Sequence, residues 1–440
     1  MRLLLIAYEF PPSPSPQSLR WTYLARELAA LGHEVHVLAP DLGGETPGLP
    51  ALPDSVRVHR TFAGPVRGML AFIRKRRRRR AATAVHPHMD PPVSADSGTR
   101  SAALRPPRNW KQQVSEMVQS AAQRIWFPDV RGEWRFWAER ALEPLLDRIA
   151  PDLVISSHEP ATTLELGLSA QALGFRWAAD LGDPVLAGYV APHWRDRAGR
   201  LENEVCDRAD LVTVTNAGAA ELLRQRHGRC ADIGILPQGF DDRSRARATA
   251  APRIFDRDRL ELLYTGSFYS FRRADALMRA LEAHPALRLS IAAVTVPEAM
   301  VSAAKAAPER IRLLGFLPHD AILDLQRHAD VLVNIANDDV TQIPGKFYEY
   351  LGAGRPILHL GNGDDPVAAM VVRLRRGWTC HNDAEAISER LLALAQEKAR
   401  GRLEQGLALG PETVGEYGWR QIAGRLEALL LAVAAGAGRR

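Results

Sequence analysis

Residues Ile343 to Leu360 read IPGKFYEYLGAGRPILHL, and the order of residue types in this stretch decides the fold. Pro344 and Gly345 open a helix in which Lys346 and Glu349 stand three apart on one face. Gly352 and Gly354 close it, and Pro356 leads into a short apolar strand. A helix N-terminus beside a lysine suits phosphate oxygens, because unpaired backbone N–H groups and the helix dipole favour anions. A carboxylate one turn further in can accept hydrogen bonds from the two hydroxyls of a ribose. The plain alternative for Lys346 and Glu349 is a surface ion pair.

Outward from this stretch, short apolar runs alternate with helical patterns. Leu260–Thr265, Leu287–Val294, Ile311–Leu314, Val331–Ile335 and Pro356–Leu360 read as strands of one βαβ series. The segment Asp241–Asp258 before them is charged, Ala/Arg-rich and unpatterned, which marks a linker. A first series begins at RLLLIA (residues 2–7), followed by a Pro/Ser-rich loop, a helix over Leu19–Leu31 stopped by Gly32, and a strand at Glu34–Ala39. It resumes at Leu153–Ser156, Phe175–Ala179, Leu211–Thr215 and Ile233–Leu236. The predicted organisation is an α/β first domain over 1–245, an α/β second domain over 255–415 and a final helical segment over 416–440. Open parallel sheets bind ligands beyond the carboxyl ends of their strands, which directs attention to the first loop.

Hydrophobic residues make up 46% of the 440 and charged residues 25%, ordinary values for a globular chain too long for one core. Cys206, Cys230 and Cys380 lie far apart without metal-ligand spacing, which argues against a disulfide framework or zinc site and suits a reducing cytoplasm. No apolar stretch approaches a membrane span, and the apolar start is too short for a signal sequence. The net charge of +6 is local: the seven consecutive basic residues Arg74–Arg80 exceed it. This run opens a segment, about 74–110, whose Pro/Ser/His content predicts a mobile insertion. Attraction to anionic lipid ranks above nucleic acid as its partner, since no aromatic residues interleave the run. Trp110, Trp126, Trp134 and Trp137 lie in a helical-looking stretch, Trp110–Ile149, where packing or an amphipathic membrane-facing element would use them.

The signature P-x-K-x-x-E-Y-L-x-A-G-x-P at 344–356 resembles the donor-binding segment of GT-B glycosyltransferases, family 4 in particular. Other pieces agree in order: YEFPP at 8–12, RELAALGHEVHVLA at 26–39, PDLVISSH at 151–158, ADLVTVT at 209–215, LPQGFD at 236–241, LYTGS at 263–267 and IRLLGFLPHDAILDLQRHAD at 311–330. The resemblance covers most of the chain except about 60–140.

It implies two Rossmann-like domains facing across a cleft, with the last helix crossing back to the first domain. It further implies sugar transfer from a nucleotide diphosphate sugar to a glycan or lipid-linked acceptor, with retained configuration and no metal or other cofactor, in surface polysaccharide or glycoconjugate synthesis. His158 and Glu349 would be the catalytic pair, Glu349 holding the ribose and His158 contacting the transferred sugar. Gly266, Ser267, Arg272, Arg273, Pro344, Lys346 and Tyr350 would complete the donor site, the arginines neutralising the diphosphate. Pro12 and Ser18 of the first loop, with Asp180 and Asp183 of DLGDP, would contact the acceptor or make the turn. The pattern departs from the family at Ser13–Pro16, where a glycine pair is usual, at Gln238 for an asparagine, and at Thr341, where a second glutamate is expected. A nucleotide-sugar epimerase of similar plan and a non-catalytic scaffold remain the competing readings. The expected location is the cytoplasm, peripheral at the inner membrane face through Arg74–Arg80.

Overall fold

The computed structural model describes residues 1–44, 46–83, 125–228, 233–243, 254–268, 274–337, 342–363 and 365–436, with the side chains of all but 77–83. They build two parallel sheets. The first has the order β3 (Val56–Phe62), β2 (Glu34–Asp41), β1 (Arg2–Ala7), β4 (Leu153–His158), β5 (Trp177–Leu181), β6 (Leu211–Val214), β7 (Ile233–Ile235). The second runs β10 (Ile311–Leu313), β9 (Leu287–Ala292), β8 (Leu260–Thr265), β11 (Val331–Ile335), β12 (Ile357–Leu360), β13 (Gly377–Cys380). Each therefore reverses direction of growth beside its own first strand, between β1 and β4 and between β8 and β11. Those two switch points are where an open α/β sheet leaves a crevice.

The central strands are mostly apolar because helices cover both faces. In β1, Leu4 and Ile6 join the core containing Trp134, Leu142 and Trp177, while Leu3, Leu5 and Ala7 join the opposite core containing Leu24, Trp419 and Leu426. The alternation has the strand period of two. The first helix (Pro16–Ala30) begins where Ser15 caps it, its side chain accepting from the Ser18 N–H, with Pro16 at the first helical position.

The last helix (Trp419–Ala434) does cross back. Ile422, Ala423, Leu426, Leu430 and Val433 are buried in the first domain's core, and Trp419 stacks on Tyr23 at 5.7 Å. Its entry lies beside the other interdomain strand of chain. Phe240 donates to the Tyr417 carbonyl and accepts from the Trp419 N–H, both at 3.1 Å. Phe240 also explains Gly352, since any Cβ there would lie 2.4 Å from the Phe240 ring.

Local readings needed correction at charged strands and at the basic run. β3, VRVHRTF, and β13, GWTC, form the outer strands that apolar patterning does not reveal; half-exposed edge strands need no apolar run. β5 starts two residues beyond the predicted Phe175. Arg74–Arg80 do not begin an unstructured insertion; they continue a helix spanning Pro65–Thr83, consistent with the good helix propensity of Arg and Lys. Within the predicted helical stretch 110–149, a 3-10 turn (Val130–Trp134) precedes a helix at Arg135–Ile149. Trp134 is core, its indole donating to Thr61 at 2.8 Å. Trp110, Cys230 and residues 84–110 lie outside the described residues. No described helix is long and apolar enough to cross a membrane.

Candidate functional site

On the first domain, β1, β4 and β5 are neighbours, so their carboxyl ends bring three loops together. His158 ends β4, in register with Leu181 of β5. Its ring is buried, and Nδ1 donates to the Asp183 carbonyl at 2.9 Å. Burial pulls its pKa below the ordinary 6.5, only partly offset by Glu159 and by that hydrogen bond. The imidazole is thus neutral near pH 7, with the proton fixed on Nδ1 and the lone pair on Nε2. Gln17, in the first turn of the first helix, donates its amide to the His158 carbonyl and packs on Gly182. Three loops are thereby locked around one imidazole.

Beside it, Arg131 gathers three carboxylates: Asp129 at 2.7 Å, Glu9 at 3.1 Å and Glu159 at 3.3 Å. Burial raises the Glu159 carboxyl, but His158 and Arg131 more than offset it, and the group is held below its ordinary range. At Asp129 burial is likewise outweighed, by Arg131. Glu159 and Asp183 also accept from the Tyr189 hydroxyl.

On the second domain, the chain turns at Gly266 after β8, with φ +92°, a conformation that favours glycine. Lys346, two residues into the helix Gly345–Ala353, lies against this turn: its Cδ would be 3.6 Å from a Cβ at Gly266. Its ammonium sits over the Tyr264 ring, 3.4 Å from the centroid. One helical turn on, Glu349 is mostly buried; its Oε2 accepts from Gln326 at 3.3 Å, and its Oε1 is 3.9 Å from His319 Nδ1. A carboxylate has about four lone-pair sites, so capacity for a diol remains. Pro344 is buried and precedes the helix, and Ser267 is half-buried after Gly266.

Several sequence-selected residues have other uses. Tyr350 is wholly buried; its hydroxyl accepts from the Thr265 N–H at 2.9 Å, so it pins the end of β8 from behind. Asp180 is buried under Arg20, which reaches it at 3.0 and 3.1 Å, and it also accepts from Trp21 and Thr213. Arg20 goes on to the carbonyls of Leu236 and Pro237, so the pair ties the first helix to the start of the linker. Ser18 is fully buried within the first turn, while Pro12 stays half-exposed in the loop. Asp183 accepts from His158 through its backbone carbonyl and from Tyr189 through its carboxylate. Arg272, Arg273 and Thr341 lie outside the described residues. His319 and Gln326 had no signal beyond their place inside one collinear segment, and Gln17 and Arg131 had none; only contacts between distant loops single them out.

No protein-family profile matches the sequence, and no curated protein does. Solved structures do. Sucrose-phosphate synthase from Thermosynechococcus elongatus superposes with a TM-score of 0.68 at 16% identity, over 99% of this chain and 100% of that one. The chain has the GT-B fold. HepE of Anabaena, solved in complex with UDP-glucose, shares that GT-B architecture at 13% identity, TM-score 0.58, over 98% of this chain and all of that one. A putative UDP-N-acetylglucosamine 2-epimerase from Listeria monocytogenes matches at 14% identity, TM-score 0.52, over 98% and 96%. In this GT-B chain the two switch-point crevices carry His158 on one domain and Lys346 with Glu349 on the other.

Proposed function

We propose that the protein is a glycosyltransferase that takes its sugar from a nucleotide diphosphate sugar. The observation that carries this is the meeting of the Gly266 turn with Lys346 at a helix N-terminus, one turn from the mostly buried acceptor Glu349. The turn and helix terminus suit a diphosphate, the lysine neutralises it, and the carboxylate suits a ribose diol. HepE, of the same fold, binds UDP-glucose.

In this reading the C1–O bond to the diphosphate breaks and a C1–O bond to an acceptor hydroxyl forms on the same face. The acceptor proton passes to a departing diphosphate oxygen. Charge on the leaving group is offset by Lys346 and by the helix terminus, which stabilise it more as the bond breaks. Arg272 and Arg273 would add to this. Neutral His158 offers Nε2 as an acceptor for a sugar hydroxyl, and its fixed tautomer orients that contact. Glycan or lipid-linked acceptors, in surface polysaccharide or glycoconjugate synthesis, are the proposed partners, with no metal required.

The likeness to a 2-epimerase supplies the competing reading. Incubation with a panel of nucleotide sugars, alone and with sugar or lipid-linked acceptors, separates them by product. Acceptor-dependent release of nucleoside diphosphate with a retained glycoside supports transfer; a new nucleotide sugar formed from donor alone overturns it.

A further inference from the structure

The helix Pro65–Thr83 carries two kinds of surface in sequence, PVRGMLAFI and then RKRRRRR. In the first half Met69, Phe72 and Ile73 stand at i, i+3 and i+4, and they are 63%, 63% and 41% exposed. The apolar surface continues beyond this helix. Phe62 lies against Gly68, where a Cβ would meet its ring at 2.2 Å, and Trp137 packs edge-on against Phe62 at 5.1 Å. Phe136 packs on Trp137 at the same distance. All three are themselves partly exposed. Scattered apolar side chains on a surface need no explanation, but a contiguous ridge beside charge marks a contact surface.

The neighbouring charges decide what it contacts. Lys75 pairs with Asp41, and Glu133 accepts from the backbone of Val66 and Arg67 at the helix start. Nearby, Glu139 is drawn to Arg135. Arg76 is exposed, and Arg140 lies over the Phe136 ring at 5.5 Å. The acidic groups around the ridge are thus engaged, while the following basic run is unbroken. We infer that this face docks the first domain on an anionic lipid bilayer. The apolar ridge enters the headgroup boundary, and the basic sequence that begins at Arg74 supplies the attraction to anionic headgroups. One shallow apolar signal with one polybasic signal gives reversible docking, which neither gives alone. The face also abuts the ligand-side rim of the sheet: Ala71 packs on Gly43, just beyond the end of β2. Docking therefore sets that rim close to the bilayer surface. This inference stands apart from the transfer reaction and is read without it.

The test is co-sedimentation of the full chain with vesicles of phosphatidylcholine and of phosphatidylcholine mixed with phosphatidylglycerol. Binding is expected only to the mixed vesicles, weakening as salt is raised. The Met69→Ser/Phe72→Ser variant should bind them about tenfold or more weakly. Arg76→Glu should lose about fivefold or more. Absence of binding, equal binding to both vesicles, or undiminished binding by the Met69/Phe72 variant overturns the proposal. So does light scattering that shows a dimer abolished by the same two substitutions, which would give the ridge to a second copy of the chain.

Discussion

Tyr23 of the first domain packs edge-on against His319 of the second, with ring centroids 6.1 Å apart. His319 Nδ1 is in turn 3.9 Å from the Glu349 carboxylate. Contact between the domains therefore reaches the residue proposed to hold the nucleotide. The same corner is fixed by the His319 N–H, which donates to the Pro47 carbonyl at 3.3 Å.

Replacing His319 by alanine removes this relay but little core, since its mostly buried ring belongs to none of the apolar core clusters. A long polar contact of this kind contributes up to about 1 kcal/mol. Calorimetric titration should show nucleoside diphosphate binding weakened about two- to fivefold, with the unfolding midpoint nearly unchanged.

Gln326 should separate positioning from stability more sharply. Its amide bonds both Thr265 and Glu349, and its own oxygen is buried without a partner among the described residues. In Gln326→Leu the buried volume is kept and an unsatisfied acceptor is removed, so unfolding free energy should change by about 1 kcal/mol or less. Glu349 loses its orienting donor, and nucleotide affinity should fall about tenfold, since hydrogen bonds to charged groups contribute about 1.5–3 kcal/mol. Equal losses in both measurements would assign Gln326 to the core.

The sequence made the second domain's site legible because its parts are local: Lys346 and Glu349 share one helix, and Gly266 follows one apolar strand. The parallel cores were legible for the same reason, in runs such as RLLLIA. Arg20 and Asp180 are 160 residues apart, and nothing near either reveals a buried pair; DLGDP therefore reads as a turn or an acceptor contact. Arg131 and Gln17 were silent for that reason too. The basic helix was missed because composition weighs charge and proline, whereas the helix is started by Glu133 accepting from its first N–H groups.

The Arg20–Asp180 pair is fully buried, so its loss should be costly. Asp180→Asn leaves a guanidinium without its charge partner, and unfolding by urea should show a loss of about 3–5 kcal/mol. The double variant Arg20→Met/Asp180→Leu should lose much less than the sum of the single variants. Additive losses would mean that the two side chains are not coupled.

Acid should destabilise the protein partly through His158. Its folded pKa lies below 6.5, so the unfolded chain binds the proton more tightly, and stability falls as pH drops from about 6.5 towards the folded value. The slope for one such group is at most about 1.4 kcal/mol per pH unit. His59 shifts in the same direction through burial and its neighbours His36 and Arg148, so it adds to the slope. Thermal unfolding from pH 7 to pH 5 should therefore be flatter in His158→Gln but not flat. An identical pH profile in the variant would show that His158 keeps its ordinary pKa.

The central claim is a diphosphate nucleotide held between the Gly266 turn, Lys346 and Glu349. It is tested most directly by thermal-shift and calorimetric titration with UDP, GDP, ADP and CMP, on the protein and on Glu349→Ala. The account predicts selective stabilisation by one nucleoside diphosphate and a clear loss of it in the variant. No stabilisation by any of them, or equal stabilisation of protein and variant, would contradict it.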